Sequence, residues 1–411
     1  MRVPSNPRSA AAALVLAASV ARAQGRPVWT EARTIEWAGA HAPAVRVAQS
    51  ELNVAASVMA YGTMSPVGNP FVGLRILTGV PNRDAATVGA FVGIPFEVSG
   101  VRARWRDEAQ YARRVAESSV DLARLGARAE ARRAFVDVAT AAERVRQTIE
   151  RLDTAQELLR RMETRVRASA ATELDRAMSE REVAMAEADY ASARQLREAA
   201  IARFRSALDL APGDPVDVAT IDEPGIDETL TRDRAIALAV ANRPELHIWW
   251  ASHEQWFRAE RRMFAESIAP VFVAAEFELQ GYASPALGGS VSWSLPVLQL
   301  AQGQRAGALA EARAADDQRS LAEREVARNA AAAWESLHHR LAELHALRGR
   351  AIPALDATLA HIDRLHEAGA IDYFRVLVAR RELAAVKIQA IDVLAAAWEA
   401  RIALDEAMGQ P

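Results

Sequence analysis

The residue types best suited to hold a metal ion here are the eight histidines. His338 and His339 are adjacent, and His345 lies seven residues after His338, so His338 and His345 share a helix face. His361 and His366, five residues apart, do not share a face well. No H-E-x-x-H or comparable ligand spacing occurs, so the histidines read as solvated or pore-lining side chains. The chain has no cysteine, which excludes disulfides, thiolate metal sites, cysteine nucleophiles and a lipid-modified N-terminal cysteine. It also lacks a phosphate-binding loop, a G-x-G-x-x-G turn and a G-x-S-x-G elbow. Carboxylates are abundant but spread along helices rather than paired. No catalytic residue, cofactor or metal site is expected, and the chain does not read as an enzyme.

A different chemistry is written in two short stretches where the apolar period is two. Val72, Leu74 and Ile76 alternate with Phe71, Gly73 and Arg75. Val88, Ala90, Val92 and Ile94 alternate with Thr87, Gly89, Phe91 and Gly93. Later, Val273, Ala275, Phe277 and Leu279 alternate with Glu276, Glu278 and Gln280. Leu287, Gly289, Val291, Trp293 and Leu295 alternate with Gly288, Ser290, Ser292 and Ser294. These are expected to be four strands forming two hairpins, 70–95 and 270–296, the first turning at Pro81–Asp84 and ended by Pro95. Strands of about ten residues fit an outer membrane when tilted. An isolated four-stranded sheet would leave edge groups unpaired in lipid. Three copies would close a 12-stranded barrel, with the apolar face on lipid and Arg75, Glu276 and Glu278 in a wet lumen. Trp293, Tyr282 and Phe277 are candidates for an interfacial aromatic girdle.

The remaining sequence must position those strands. Of 411 residues, 51% are hydrophobic but only 6% aromatic, the profile of long helices packed through small residues. A formal charge of −3 gives no basic excess for nucleic acid. Arg2 and Arg8, the apolar run Ala10–Val20 and the Ala21-Arg22-Ala23 site read as a signal peptide over 1–23, so the chain is expected to be exported. No later run is long and apolar enough for a membrane helix. A helix is expected from about Thr30 to Met64 with Pro43 near its start, broken by Pro66, Gly68 and Pro70. The stretch from Gly100 to Glu163 contains no proline and predicts a helix of about 90 Å, which suggests a coiled coil. After a break near 167–171, Thr172 is a candidate N-cap with Asp175 in the reciprocal position, and helix resumes to about Leu210.

The second half repeats the first. Pro43 matches Pro244, Pro70-Phe71-Val72 matches Pro270-Val271-Phe272, Pro95 matches Pro296, and Thr172 matches Asp372. Arg205–Asp209 matches Arg401–Asp405, implying a slip of one helical turn from the common register of about 200 residues. The expected organisation is a first repeat over 24–210, a linker over 211–230 and a second repeat over 231–411, with tips near 167–172 and 366–372. The long helices show no thick hydrophobic stripe, as expected if they line a hollow tube.

Repeated helix, hairpin, long helix, capped tip and returning helix resembles the TolC-like outer-membrane efflux proteins over essentially the whole mature chain. The tips carry the most specific likeness: Arg167-Ala168-Ser169-Ala170-Ala171-Thr172-Glu173-Leu174-Asp175, and Leu365 to Ala379. The helix with Pro43 and the junctions at Pro95 and Pro296 also resemble the family, and the first tip leans toward its heavy-metal cation branch. The resemblance implies a mainly α fold with a small membrane β-barrel: a homotrimer with a 12-stranded barrel in outer-membrane lipid and a helical tunnel in the periplasm. It implies a periplasmic adaptor docked at the tips and an inner-membrane pump of the RND type, forming a passive duct for small solutes or metal cations. Some members carry aspartates at two tip positions that here are Arg375 and Val378. The candidate gate is therefore Glu367, Asp372, Arg375 and Asp175, and the candidate docking residues are Arg167, Ser169, Thr172 and Gly369. The competing reading is an exported coiled-coil scaffold or adhesin stalk without a pore, which has no need of two symmetric hairpins.

Overall fold

The computed structural model describes residues 28–78, 86–227, 229–280 and 285–410. The expected signal peptide, the expected turn at Pro81–Asp84 and Tyr282 lie outside these residues. In chain order the elements are α1 (Glu31–His41), α2 (Pro43–Val58), a 3-10 turn (Met59–Thr63), β1 (Phe71–Thr78), β2 (Ala86–Phe96), α3 (Val101–Arg167) and α4 (Glu173–Ala207). The second half supplies α5 (Arg232–Asn242), α6 (Pro244–Glu266), β3 (Val271–Gln280), β4 (Ala286–Ser292), α7 (Gln302–Ala346), a π-helical turn (Leu347–Ala351), α8 (Ile352–Glu367) and α9 (Tyr373–Ala407). No described helix is long and apolar enough to cross a membrane.

Local chemistry sets the boundaries. The expected single N-terminal helix is two, because Pro43 pushes the residue before it out of the helical region; Ala42 sits at ψ 140. Helix α3 starts where Gly100 turns at φ +68 and the Glu97 carboxylate accepts from the Val101 N–H at 2.8 Å. Its 67 residues correspond to about 100 Å of helix. Pro95 does not end β2, which continues to Phe96. It lies beyond the last β1 pair, Phe71 opposite Gly93, and its carbonyl accepts from the Gly68 N–H at 2.9 Å. In a strand the N–H and C=O of one residue point the same way. The missing proline donor therefore faces that loop, and pairing with β3 is intact.

The duplication has a tighter register than the sequence match suggests. Helices α4 and α9 are both 35 residues long and begin and end 200 residues apart. Asp209 and Gly409, both at positive φ, close them. The one-turn slip inferred from Arg205–Asp209 and Arg401–Asp405 is absent; the two pentapeptides occupy different places in equivalent helices.

The chain forms two compact units. One comprises 47–122 and 243–325 and carries the sheet; the other comprises residues up to 46, 123–242 and 326–411 and carries the tips. The tip-bearing unit has definite hydrophobic clusters in place of the expected stripe-free packing. Trp29, Phe135, Phe204, Leu208 and Ile402 form one of them, and Leu337, Leu344, Leu394 and Leu404 anchor another. Fully buried alanines such as Ala38, Ala131 and Ala397 let the helix backbones approach between them. The described residues of 211–230 contain no helix or strand, yet they are clasped. Trp398 Nε1 donates to the Asp222 carbonyl at 2.8 Å, Trp334 Nε1 to the Leu230 carbonyl at 2.9 Å, and Trp29 N to the Asp217 carbonyl at 2.7 Å.

Candidate functional site

The sheet is antiparallel with order β1-β2-β3-β4, so β2 and β3, one from each repeat, form its centre. Register puts the two faces in order. Val72, Val92, Ala275 and Gly289 stand in one row, Leu74, Ala90, Phe277 and Leu287 in the next, and Ile76, Val88 and Leu279 in a third. This face is apolar throughout and open: Leu74 is 78% exposed and Leu287 83%. The other face carries the rows Phe71, Gly93, Ala274 and Ser290; Gly73, Phe91, Glu276 and Gly288; and Arg75, Gly89, Glu278 and Ala286. The three charged strand residues picked out by their alternation thus share one face. The Ser290 hydroxyl donates to Glu276 Oε1 at 2.8 Å. Strands β1 and β4 are the two edges among the described residues. Phe277 lies on the apolar face; Trp293 falls just past β4, half-exposed, with Nε1 donating to the Ala269 carbonyl at 3.0 Å.

The tips lie in the other unit and are built alike. At the first, Ser169 takes φ 55, its N–H bonds to the Val166 carbonyl and the Ala170 N–H to the Arg165 carbonyl. At the second, Gly369 takes φ 72, with the same bonds from Gly369 to His366 and from Ala370 to Leu365. Both are Schellman closures, which satisfy the last carbonyls of α3 and α8. The returning helices are then capped. Thr172 Oγ1 accepts from the Asp175 N–H at 3.2 Å while Asp175 Oδ2 accepts from the Thr172 N–H at 2.9 Å, a reciprocal capping box. Asp372 accepts from the Arg375 N–H at 3.2 Å.

These contacts sort the expected residues. Asp175 and Asp372 are committed to caps, and hydrogen bonds from the Thr172 hydroxyl and N–H hold the Asp175 carboxyl below the ordinary aspartate range. Glu367 and Arg375 are exposed, as are Arg167, Ser169, Thr172 and Gly369. The two tips pack together through Met162, Tyr373, Val376 and Leu377. Across that seam Arg165 Nη1 lies 2.8 Å from His366 Nε2, and the Ser179 hydroxyl donates to the buried Tyr373 hydroxyl at 3.2 Å. Burial pushes the Tyr373 hydroxyl up.

One centre escaped the sequence reading. Glu182, buried on α4, accepts from Arg151 of α3 at 2.8 Å and from Arg381 Nε of α9 at 2.6 Å. Burial works to raise its carboxyl, but the two arginines outweigh it and hold it below the ordinary glutamate range. The triad borders a cleft of about 730 Å³ that also takes in Lys387, Asp189 and Asp392. The only available signal was a carboxylate at a position that buried alanines occupy one and three turns later, Ala186 and Ala193. The histidines do not gather: His338 Nδ1 lies 2.9 Å from the Trp334 carbonyl, and His345 lies beside Glu223. Among the described residues no three potential metal ligands come together.

No protein-family model matches the sequence, and no curated protein matches it. Solved structures do. CusC, described by its channel formation, superposes with a TM-score of 0.74 at 12% identity, covering 93% of this chain and 92% of the other. The outer-membrane channel OprN superposes with a TM-score of 0.75 at 18% identity, over 93% and 90%. The outer-membrane channel CmeC of Campylobacter jejuni gives 0.71 at 12% identity, over 92% and 85%. The chain has the outer-membrane channel fold. Among the described residues it is mostly helix with one four-stranded antiparallel sheet, and it matches that fold over nearly its whole length.

Proposed function

We propose that the protein is the outer-membrane channel subunit of an efflux system, a passive duct rather than an enzyme. The observation that carries this reading is the two-faced sheet with two open edges. Burying its apolar face in water-excluding protein would require a third layer, and none covers it among the described residues. In lipid that face is at rest, but each unpaired edge group would cost several kcal/mol. Pairing β1 of one copy with β4 of the next removes both edges, and three copies give a closed 12-stranded barrel around a lumen lined by Arg75, Glu276 and Glu278.

The channel neighbours support the same placement, with the sheet in the outer membrane and the helical tips in the periplasm. There the exposed tip residues Arg167, Ser169, Thr172 and Gly369 would receive a periplasmic adaptor, itself coupled to an inner-membrane pump. Glu367 and Arg375 are the free charges at the proposed entrance, with Asp175 and Asp372 shaping it from the caps. The two lumenal carboxylates per copy favour cations in transit.

The test is the conductance of the detergent-extracted protein in planar bilayers, with reversal potentials in a salt gradient. Stable conducting trimers with cation preference are expected, and the preference should fall in Glu276→Gln/Glu278→Gln. A protein that leaves the cell envelope without detergent and never conducts would instead be a coiled-coil scaffold.

A further inference from the structure

The polar face of the sheet carries a feature that a merely wet lining does not need. Three phenylalanines gather on it: Phe71 opens β1, Phe272 is the second residue of β3, and Phe91 stands at the middle of β2. The Phe71 ring centroid lies 5.8 Å from Phe91 and 5.7 Å from Phe272, both edge-to-face at interplanar angles of 74° and 84°. The rings are seated by glycine. A Cβ on Gly73 would stand 2.3 Å from Phe91 Cζ, and one on Gly93 would stand 2.3 Å from Phe71 Cζ. Each ring therefore lies across the glycine directly opposite it on the neighbouring strand. None of the three is fully buried. Phe91 is also the direct cross-strand neighbour of Glu276, whose carboxylate is held by the Ser290 hydroxyl at 2.8 Å. An oriented carboxylate thus adjoins a cluster of aromatic rings on an open wall.

We infer that Phe71, Phe91, Phe272 and Glu276 form a binding shelf for amphiphilic organic cations, whose delocalised charge meets the carboxylate and ring faces while the apolar body rests on the rings. The chemistry is selective. A small hydrated metal ion gains from the carboxylate but not from the rings, and an aromatic anion is repelled by Glu276. A cation with an apolar body gains from both, since a desolvated cation over a ring face adds to apolar burial. The inference rests on the duct reading, which makes this face the lumen, and deepens it by naming a solute class.

The test uses the full-length trimer in detergent, with rhodamine 6G as the probe and fluorescein as its anionic counterpart, both followed by fluorescence anisotropy. Phe91→Leu keeps apolar volume over Gly73 and removes the ring face; Glu276→Gln keeps size and removes charge. Rhodamine 6G binding should weaken roughly two- to thirty-fold in Phe91→Leu, the range of one cation–π contact. It should also weaken in Glu276→Gln, and fluorescein should bind no variant. Both variants should keep the elution volume of the trimer. Unchanged rhodamine binding in the two variants, as partition into micelle or apolar face would give, overturns the shelf, as does equal binding of fluorescein. A conductance experiment separates this from the duct reading. Conducting channels that rhodamine 6G does not block refute the shelf and leave the duct standing. Extraction without detergent together with absence of any conductance refutes the duct, and the anisotropy series, which needs no open pore, still decides whether the ring–carboxylate pair binds cations.

Discussion

At the scale of single residues, the duplication provides internal controls. Ser169 and Gly369 close equivalent helices with the same bonds and nearly the same φ. An L-residue in the left-handed region costs about 1–2 kcal/mol, partly recovered because glycine loses more freedom on folding. Ser169→Gly should therefore stabilise the tip-bearing unit by about 0.5–1 kcal/mol, while Gly369→Ala, with no neighbour in its way, should destabilise it by a similar amount. Thermal melts followed by circular dichroism would check both. Asp405 poses a harsher test. Its Oδ2 accepts from Arg132 at 2.9 Å and Arg401 at 3.0 Å, and both Arg132 and Asp405 are buried. Asp405→Ala leaves the buried Arg132 guanidinium with Glu31 as its remaining countercharge and should cost about 2–3 kcal/mol in a denaturant titration, below the roughly 3–5 kcal/mol of a fully uncompensated buried charge.

The same reasoning gives a pH dependence. Asp175 and Glu182 both have folded-state carboxyls held below their ordinary values. A lowered pKa means that the folded state binds the proton less readily than the unfolded chain. The stabilisation is fully present above the unfolded values, about 3.9 for aspartate and 4.3 for glutamate, and is lost as pH falls through the folded ones. The melting temperature should drop on acidification from pH 5 to pH 3, and Glu182→Gln should remove part of that drop. An acid profile identical in Glu182→Gln and the parent would mean the triad is not the titrating centre.

At the scale of elements, the strands and caps were legible because their determinants are local. A period of two declares a strand with unlike faces, and it assigned Arg75, Glu276 and Glu278 to one face correctly. A threonine three residues before an aspartate declares a capping box, and Thr172–Asp175 is one. What could not be read depends on partners distant in sequence. Glu182 meets Arg381 across 199 residues, and the Phe71–Phe272 contact joins strands from different repeats. The C-terminal match went astray for a related reason. Arginine, alanine, leucine and aspartate recur at helical spacing in both halves, so composition tolerates a one-turn shift that cap geometry does not. The sheet also yields an element-scale expectation. Gly73→Val places branched carbons where the Phe91 ring lies and must displace it, so barrel assembly, read as heat-resistant trimer on electrophoresis, should be weakened, whereas Gly288→Val, with open space at its Cβ, should be tolerated.

At the scale of the whole molecule, two repeats with matched returning helices give each chain two nearly equivalent tips, but their surface charges are exchanged. Arg167 of the first stands where the second has Glu367, and Asp175 stands where the second has Arg375. Three chains around a common axis would therefore offer a periplasmic partner six seats of two classes, which carry the same two charges in opposite order along the chain. A ring of six identical partner arms would meet two classes of seat, and three arms should settle before the other three. Titration monitored by native mass spectrometry would then show a plateau at three partners per trimer, and adding salt, which screens exposed charges within about a nanometre, should merge the two steps into one.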